Sequence, residues 1–229
     1  MYTAAQLLEG QLLLIDKPLH WTSFQAVNKM KWSIRKKRGL KTIKVGHAGT
    51  LDPLATGLLL VCTGKFTKKI PELQNQPKEY TGIFTLGATT PSYDLETAVD
   101  STFDISTITD DAVYEASRRF LGETEQLPPV FSALKQDGKR LYELAREGKN
   151  ITVTPRKISI TAFDITKINL PEVHFRVVCS KGTYIRALAH DFGKALNNGA
   201  YLAALCRTKI GKYSVADAVT PDAFAAQLQ

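Results

Sequence analysis

Asp52 stands in GHAGTLDPLATG, Gly46 to Gly57, among glycines, threonines, a proline and one histidine. No other acid lies between Asp16 and Glu72, in the most basic region of the chain. A carboxylate in such a place is a candidate nucleophile or proton acceptor. An Asp-Pro pair is also ordinary turn chemistry, in which the side chain bonds nearby backbone N–H groups. No G-x-x-x-x-G-K-[ST] is present, so the loop is not a phosphate-cradling P-loop. No Ser/His/Asp order and no paired carboxylates stand out, which weakens hydrolase readings.

The charge around that loop is concentrated. KMKWSIRKKRGLKTIK, Lys29 to Lys44, carries eight Lys/Arg and no acid. The whole chain has 30 bases and 22 acids, so the formal excess of +8 sits in these sixteen residues. One concentrated patch is an electrostatic footprint for a polyanion, either nucleic acid or an anionic membrane. Amphipathic periodicity is poor past Ile34, which favours nucleic acid. The apolar runs Leu12 to Ile15 and Leu58 to Cys62 are too short to span a bilayer. MYTAAQLLEG lacks the basic start and long apolar stretch of a signal peptide. Three cysteines without a CxxC pair indicate a reducing compartment, most simply the cytoplasm. The four histidines never stand with cysteine at zinc-ligand spacing, so no metal is expected.

The elements that must position Asp52 follow from pattern and punctuation. QLLLIDKP reads as a buried strand ended by Pro18. Thr22 and Gln25 form a capping box that opens a helix with Phe24, Val27, Met30 and Ile34 inward, and Gly39 stops it. GLLLVCTG reads as a fully buried strand, EYTGIFTLGAT as another, and Thr109 caps a helix lined by Val113, Ala116 and Phe120. ETEQLPPVFSALKQDGKRLYELAREGK reads as an excursion, a long loop with a helical hairpin, about 123–150. Strands resume at RKISITAF and EVHFRVVCS, where Val173, Phe175, Val177 and Cys179 share one face. YIRALAHDFGKAL is a helix with Ile185, Leu188, Ala189, Phe192 and Leu196 inward and His190 structural. TPDAFAAQLQ closes the chain as a terminal cap. Irregular alternation without a βαβ rhythm predicts an α+β fold with a mixed, mostly antiparallel sheet, one domain over 1–229.

GHAGTLDPLATGLL resembles the catalytic motif of the TruB-type tRNA pseudouridine synthases, which isomerise uridine 55 in the T loop. LLLIDKPLHWTSFQAV, KEYTGIFTLGATTPSYDLET, PPVFSALKQDGKRLYELAREG, VVCSKGTYIRALAHDFG and GAYLAALCRTKIGKYSV extend the likeness over essentially the whole chain. The resemblance implies a pseudouridine-synthase-like fold, its central sheet flanked by helices, with a thumb loop that clamps RNA. It implies that Asp52 is the catalytic carboxylate, that Arg186 of GTYIR pairs with it, and that Tyr80 stacks on the target base. A flipped base exchanges its lost neighbours for such a ring at roughly 1–3 kcal/mol. His47, Asp94, Tyr184, Leu205 and Lys17 belong by resemblance to the substrate site, with His47 filling the gap in the RNA stack and Leu205 under the flipped base. If Tyr184 and Arg186 serve one site, the backbone is extended through Thr183 and Tyr184 and the helix begins only near Ile185.

Isomerisation neither oxidises nor hydrolyses overall, so no cofactor is implied. Ring addition, sugar attack and a glycal route all remain open. Lys29, Lys31, Arg35, Lys36, Lys37 and Arg38 are candidate contacts to the RNA backbone, with Lys135, Lys139 and Arg140 on the thumb, which closes over the RNA arm. The partner is the tRNA elbow. A chain that stops soon after KYSVADAV leaves no room for the C-terminal RNA-binding domain of many relatives, which favours a stand-alone monomer without guide RNA. The segment TTPSYDLET departs from the more polar family pattern. A chaperone that opens tRNA without chemistry is the alternative; it would have no use for Asp52.

Overall fold

Thr3 caps α1 (Ala4–Glu9), and β1 (Leu12–Lys17) then buries every second residue: Leu13, Ile15 and Lys17. The computed structural model describes residues 2–228 apart from 133, 134, 137, 142, 143, 145, 146, 148 and 150, with backbone alone at 135, 136, 139 and 140. Two units emerge, Met1–Thr81 with Leu205–Gln229, and Gly82–Ala204.

In the first unit Thr22 and Gln25 close the expected capping box and open α2 (Ser23–Arg38), which Gly39 ends at φ 62°. Its buried face is Ser23, Ala26, Val27, Met30, Ser33 and Ile34. Phe24 was expected inward but is 69% exposed, because the helix turns the small Ser23 and Ala26 toward the core instead. β2 (Val45–His47) and β3 (Ala55–Thr63) follow, then a 3-10 turn, Gly64–Lys69, and α3 (Ile70–Gln74). β3 pairs antiparallel with β1 and β2. Buried on both faces, it sends Leu59 and Val61 toward Ile15, Met30, Ile34 and Phe224, and Leu58, Leu60 and Cys62 toward Leu73 and Ile210. That double burial explains the unbroken apolar run.

β4 (Lys78–Leu86) carries the chain into the second unit. There a short pair, β5 (Ala88–Thr89) and β6 (Ser101–Thr102), precedes α4 (Asp110–Arg118), capped by Thr109 as predicted. β7 (Gly122–Gln126) is an edge strand paired with Arg156 to Ile160, so the expected excursion begins within the sheet. The expected helical hairpin is in its turn a β-hairpin, β8 (Lys135–Gln136) and β9 (Lys139–Arg140), with Gly138 at φ 81°, followed by helical Leu141 and Leu144. The D-G pair in KQDGKR is the turn signal responsible.

β10 (Arg156–Asn169) and β11 (Glu172–Cys179) pair antiparallel, and Val173, Phe175, Val177 and Cys179 are all buried as expected. α5 (Ile185–Ala195) packs Phe192 against Phe84, itself stacked on Phe175 at 4.1 Å. The strand order here runs β4, β11, β10, β7.

β12 (Ala200–Ile210) brings the chain back to the first unit, where it pairs parallel with β3 and antiparallel with β13 (Tyr213–Ser214). After a last 3-10 turn, Val215–Asp217, α6 (Pro221–Gln227) seals that core with Phe224. The fold is α+β with a mixed, mostly antiparallel sheet. Among the described residues, no helix is long and apolar enough to cross a membrane.

Candidate active site

Between β2 and β3 the chain must reverse and present Asp52, and the first unit builds that turn from backbone groups. Ala48 N donates to Leu60 O at 2.9 Å, and Ala55 N to Asp52 O at 3.1 Å. The Ser23 hydroxyl, at the start of α2, accepts from Leu51 N at 2.8 Å and donates to Leu51 O at 3.1 Å. His20 N reaches Pro53 O at 2.8 Å. Leu51 is thereby buried, Pro53 exposed, and Asp52 between them half-buried.

The strongest brace is Arg207, which is 1% exposed. Its guanidinium donates to Gly49 O at 3.0 Å, Thr50 O at 3.3 Å and Leu58 O at 2.8 Å, tying both limbs of the loop to β12. Sequence reasoning missed this residue; the available signal was a charge two positions from Leu205, on the same side of a strand. Gly57 makes the approach possible: at φ 102°, a Cβ there would lie 2.4 Å from Arg207 O and 2.7 Å from Arg207 N. Both atoms are backbone and cannot swing aside. Gly57→Ala is therefore expected to destabilise the protein by about 3 kcal/mol or more, read as a fall in urea midpoint.

Lys17 was placed with the substrate, but it is 0% exposed, because it sits at a core-facing position of β1. Its ammonium donates to Pro18 O at 2.8 Å and Trp21 O at 2.6 Å, so it braces the turn into α2. Burial lowers its pKa from 10.5 to about 8, opposed by the Asp52 carboxylate and helped by Arg207. Between about pH 8 and 10.5 the unfolded chain thus holds a proton that the native side chain has lost. Stability from this group rises with pH across that window. Urea midpoints of wild type and Lys17→Met, compared at both ends, should show wild type gaining on the variant as pH rises.

His47 ends β2, half-buried, and burial holds its imidazole toward the neutral form despite a hydrogen bond at Gly49. Leu205 is half-buried beside Ala55 in the parallel β12–β3 register, three residues beyond Asp52, and its carbonyl accepts from the Thr56 hydroxyl at 3.4 Å. Tyr80 lies on β4 at 9% exposure. The first unit thus gathers Asp52, His47, Leu205 and Lys17 around one loop.

The second unit holds Arg186, Asp94 and Tyr184. Tyr184 is the extended N-cap of α5, φ −96° and ψ 112°, and the helix begins at Ile185, as the spacing of Tyr184 and Arg186 predicts. Gln126 fixes that start, accepting from Tyr184 N at 2.8 Å and donating to Tyr184 O at 3.0 Å. The Arg156 guanidinium lies 5.2 Å from the Tyr184 ring centre. Arg186, on the first turn, is 5% exposed rather than a surface cation. It donates to Phe131 O at 2.8 Å and Ser92 O at 3.4 Å and stands 3.6 Å from the Asp94 carboxylate. Asp94, 4% exposed, accepts from Glu96 N at 3.0 Å. Beside it Tyr93 stacks on His190 at 3.9 Å, which gives His190 the structural place expected of it.

The basic patch divides on α2. Arg38, half-buried, is bound into the fold, donating to Leu228 O at 2.6 Å and Tyr2 O at 2.8 Å. Lys29 pairs with Asp222 at 2.7 Å. Arg35, Lys36 and Lys37 are exposed and Lys31 half-buried. The side chains of Lys135, Lys139 and Arg140 lie outside the described residues.

Residues 37–185 match the model of the TruB family of pseudouridylate synthases, N-terminal domain. The chain is 62% identical over 228 residues to tRNA pseudouridine synthase B of Flavobacterium johnsoniae, covering 99% of this chain and 100% of the relative. It is 54% identical to the protein of that name from Phocaeicola vulgatus, over 94% of this chain and 92% of the relative. Among solved structures, a chain in a Cbf5-Nop10-Gar1 complex superposes with a TM-score of 0.67 at 29% identity, over 91% of this chain and 50% of that one. This chain therefore spans about half the length of that solved relative.

Proposed function

The chain belongs to the TruB family of pseudouridylate synthases, and from that membership we propose that it isomerises uridine to pseudouridine in tRNA, at position 55 of the T loop. The observation that carries the reading is the Asp52 loop: a half-buried carboxylate on a turn pinned at Ser23, Arg207 and Leu60, within the matched residues. The reaction detaches uracil at N1, turns it and rejoins it through C5. It needs a carboxylate that attacks the substrate or takes a proton, together with a surface that holds the detached base. We assign the first role to Asp52 and the second to Tyr80 and Leu205, with His47 replacing the everted base in the RNA stack. Arg186 and Tyr184 act in the same reaction, and Asp94 orients Arg186. Lys17 takes a positioning role.

Phosphates are met by Lys31, Arg35, Lys36 and Lys37; much of the thumb expected at 127–149 lies outside the described residues. A binder without chemistry is disfavoured, since a carboxylate among phosphates weakens binding. We place the enzyme in the cytoplasm as a monomer without guide RNA. Incubating the protein with a T-arm transcript and sequencing for pseudouridine tests the reading. Conversion at position 55 is expected; an unmodified transcript that is nonetheless bound would overturn it.

A further inference from the structure

We propose that the outer face of α2 is an RNA-docking track, on which unstacked bases pack against Phe24 and Trp32 while phosphates meet Lys31, Arg35 and Lys36; it rests on the reading of the chain as a tRNA-modifying enzyme. Phe24 is 69% exposed and Trp32 57% exposed. Single exposed apolar residues need no explanation, but these two share a helix face with Asn28 and Arg35, opposite the buried stripe. Eight residues of helix separate the rings by about 12 Å, a span that a short single strand bridges. Lys36 Nζ lies 4.8 Å from the Trp32 ring centre, so cation and aromatic already form one platform. Aromatic rings interleaved with bases are what sequence-tolerant binding of single-stranded RNA requires.

The track also starts in the right place. Ser23, one residue before Phe24, is the side chain that clasps Leu51, the neighbour of Asp52. Nucleotides flanking a uridine presented to Asp52 therefore leave the loop beside the first turn of α2. The cations of the helix that would compete for other roles, Lys29 and Arg38, are engaged by Asp222 and by two carbonyls. An anionic membrane is the rival partner. A helix lying in a lipid interface separates its apolar face from its cations, whereas here they share one face and the opposite face is core.

The chain has two tryptophans, so Trp21→Phe leaves Trp32 as the single emitter. Titration with a tRNA transcript should quench that emission. Trp32→Ala and Phe24→Ala should each raise the dissociation constant for tRNA about tenfold, the loss of one stacked base, while Trp32→Phe retains most of the affinity. Conversion at saturating tRNA should be kept, the loss appearing in KM. Both rings are exposed, so folding should persist, and matching thermal midpoints would check this. Unchanged emission with wild-type affinity in the Phe24→Ala/Trp32→Ala double variant would overturn the docking track, as would quenching by anionic vesicles but not by tRNA. If wild type forms pseudouridine and the double variant matches it in affinity, only the track fails. If wild type binds tRNA with Trp32 quenched but forms no pseudouridine, the track stands and the enzymatic reading fails.

Discussion

Asp52→Asn is expected to abolish pseudouridine formation while tRNA binding remains. The loss should be roughly 10⁴-fold or more, the scale at which enzymes respond when a reacting side chain is removed. The substitution is nearly isosteric, and the variant keeps these bonds of the turn: those of the Asp52 and Leu51 carbonyls, the Leu51 amide, and the Gly49, Thr50 and Leu58 carbonyls that accept from Arg207. An amide neither attacks the substrate nor accepts a proton as a carboxylate does, so chemistry is lost without loss of shape. Removing an anion from a site that receives phosphates should, if anything, tighten binding. Conversion on a T-loop transcript, measured beside affinity for the same RNA, separates the two effects. A variant that converts uridine at the wild-type rate would remove Asp52 from the reaction.

Arg186→Leu should produce the largest loss of stability. Asp94, 4% exposed, would lose the guanidinium that stands 3.6 Å from its carboxylate, and the Phe131 carbonyl would lose a donor at 2.8 Å. Taking one partner from a buried ion pair costs about 3–5 kcal/mol, which for a chain of this length lowers the thermal midpoint by roughly 10 °C. Arg186→Lys keeps the charge but not the planar fork that reaches carboxylate and carbonyls together, so it should fall between. Asp94→Asn in the Arg186→Leu background should restore part of the stability, because it removes a buried carboxylate whose guanidinium neighbour has gone. Pseudouridine formation should not return with it. Recovered stability with recovered activity would make Arg186 a structural residue alone.

What the sequence by itself determined is local. Thr22, Gln25 and Gly39 set the limits of α2 because caps and left-handed stops are satisfied within a few residues. The burial of Val173, Phe175, Val177 and Cys179 follows from a period of two. The start of α5 at Ile185 was legible because two side chains two apart, assigned by resemblance to one site, require extended backbone before the helix. Asp52 stood out by type and surroundings, and its loop by glycine content. The likeness of GHAGTLDPLATG to a catalytic motif supplied the chemistry that composition alone left open.

The tertiary structure decided what depends on neighbours remote in the chain. Helical spacing allows either Phe24 or Ser23 to face inward; the hydrogen bonds of Ser23 to Leu51, 28 residues away, choose Ser23 and turn the aromatic ring outward. Lys17 was expected at the substrate, yet the pleat of β1 places it inside, where two carbonyls accept hydrogen bonds from its ammonium. Gly122–Gln126 has too few apolar residues to read as a strand, and pairing with β10 makes it one. A charge two positions from Leu205 marks Arg207 but not its role, because the carbonyls it serves at Gly49, Thr50 and Leu58 lie about 150 residues earlier. Turns, caps and periods are paid within a few residues and can be read in order; the buried guanidinium of Arg207 is tolerated because distant backbone converges on it, and only the folded chain supplies that convergence.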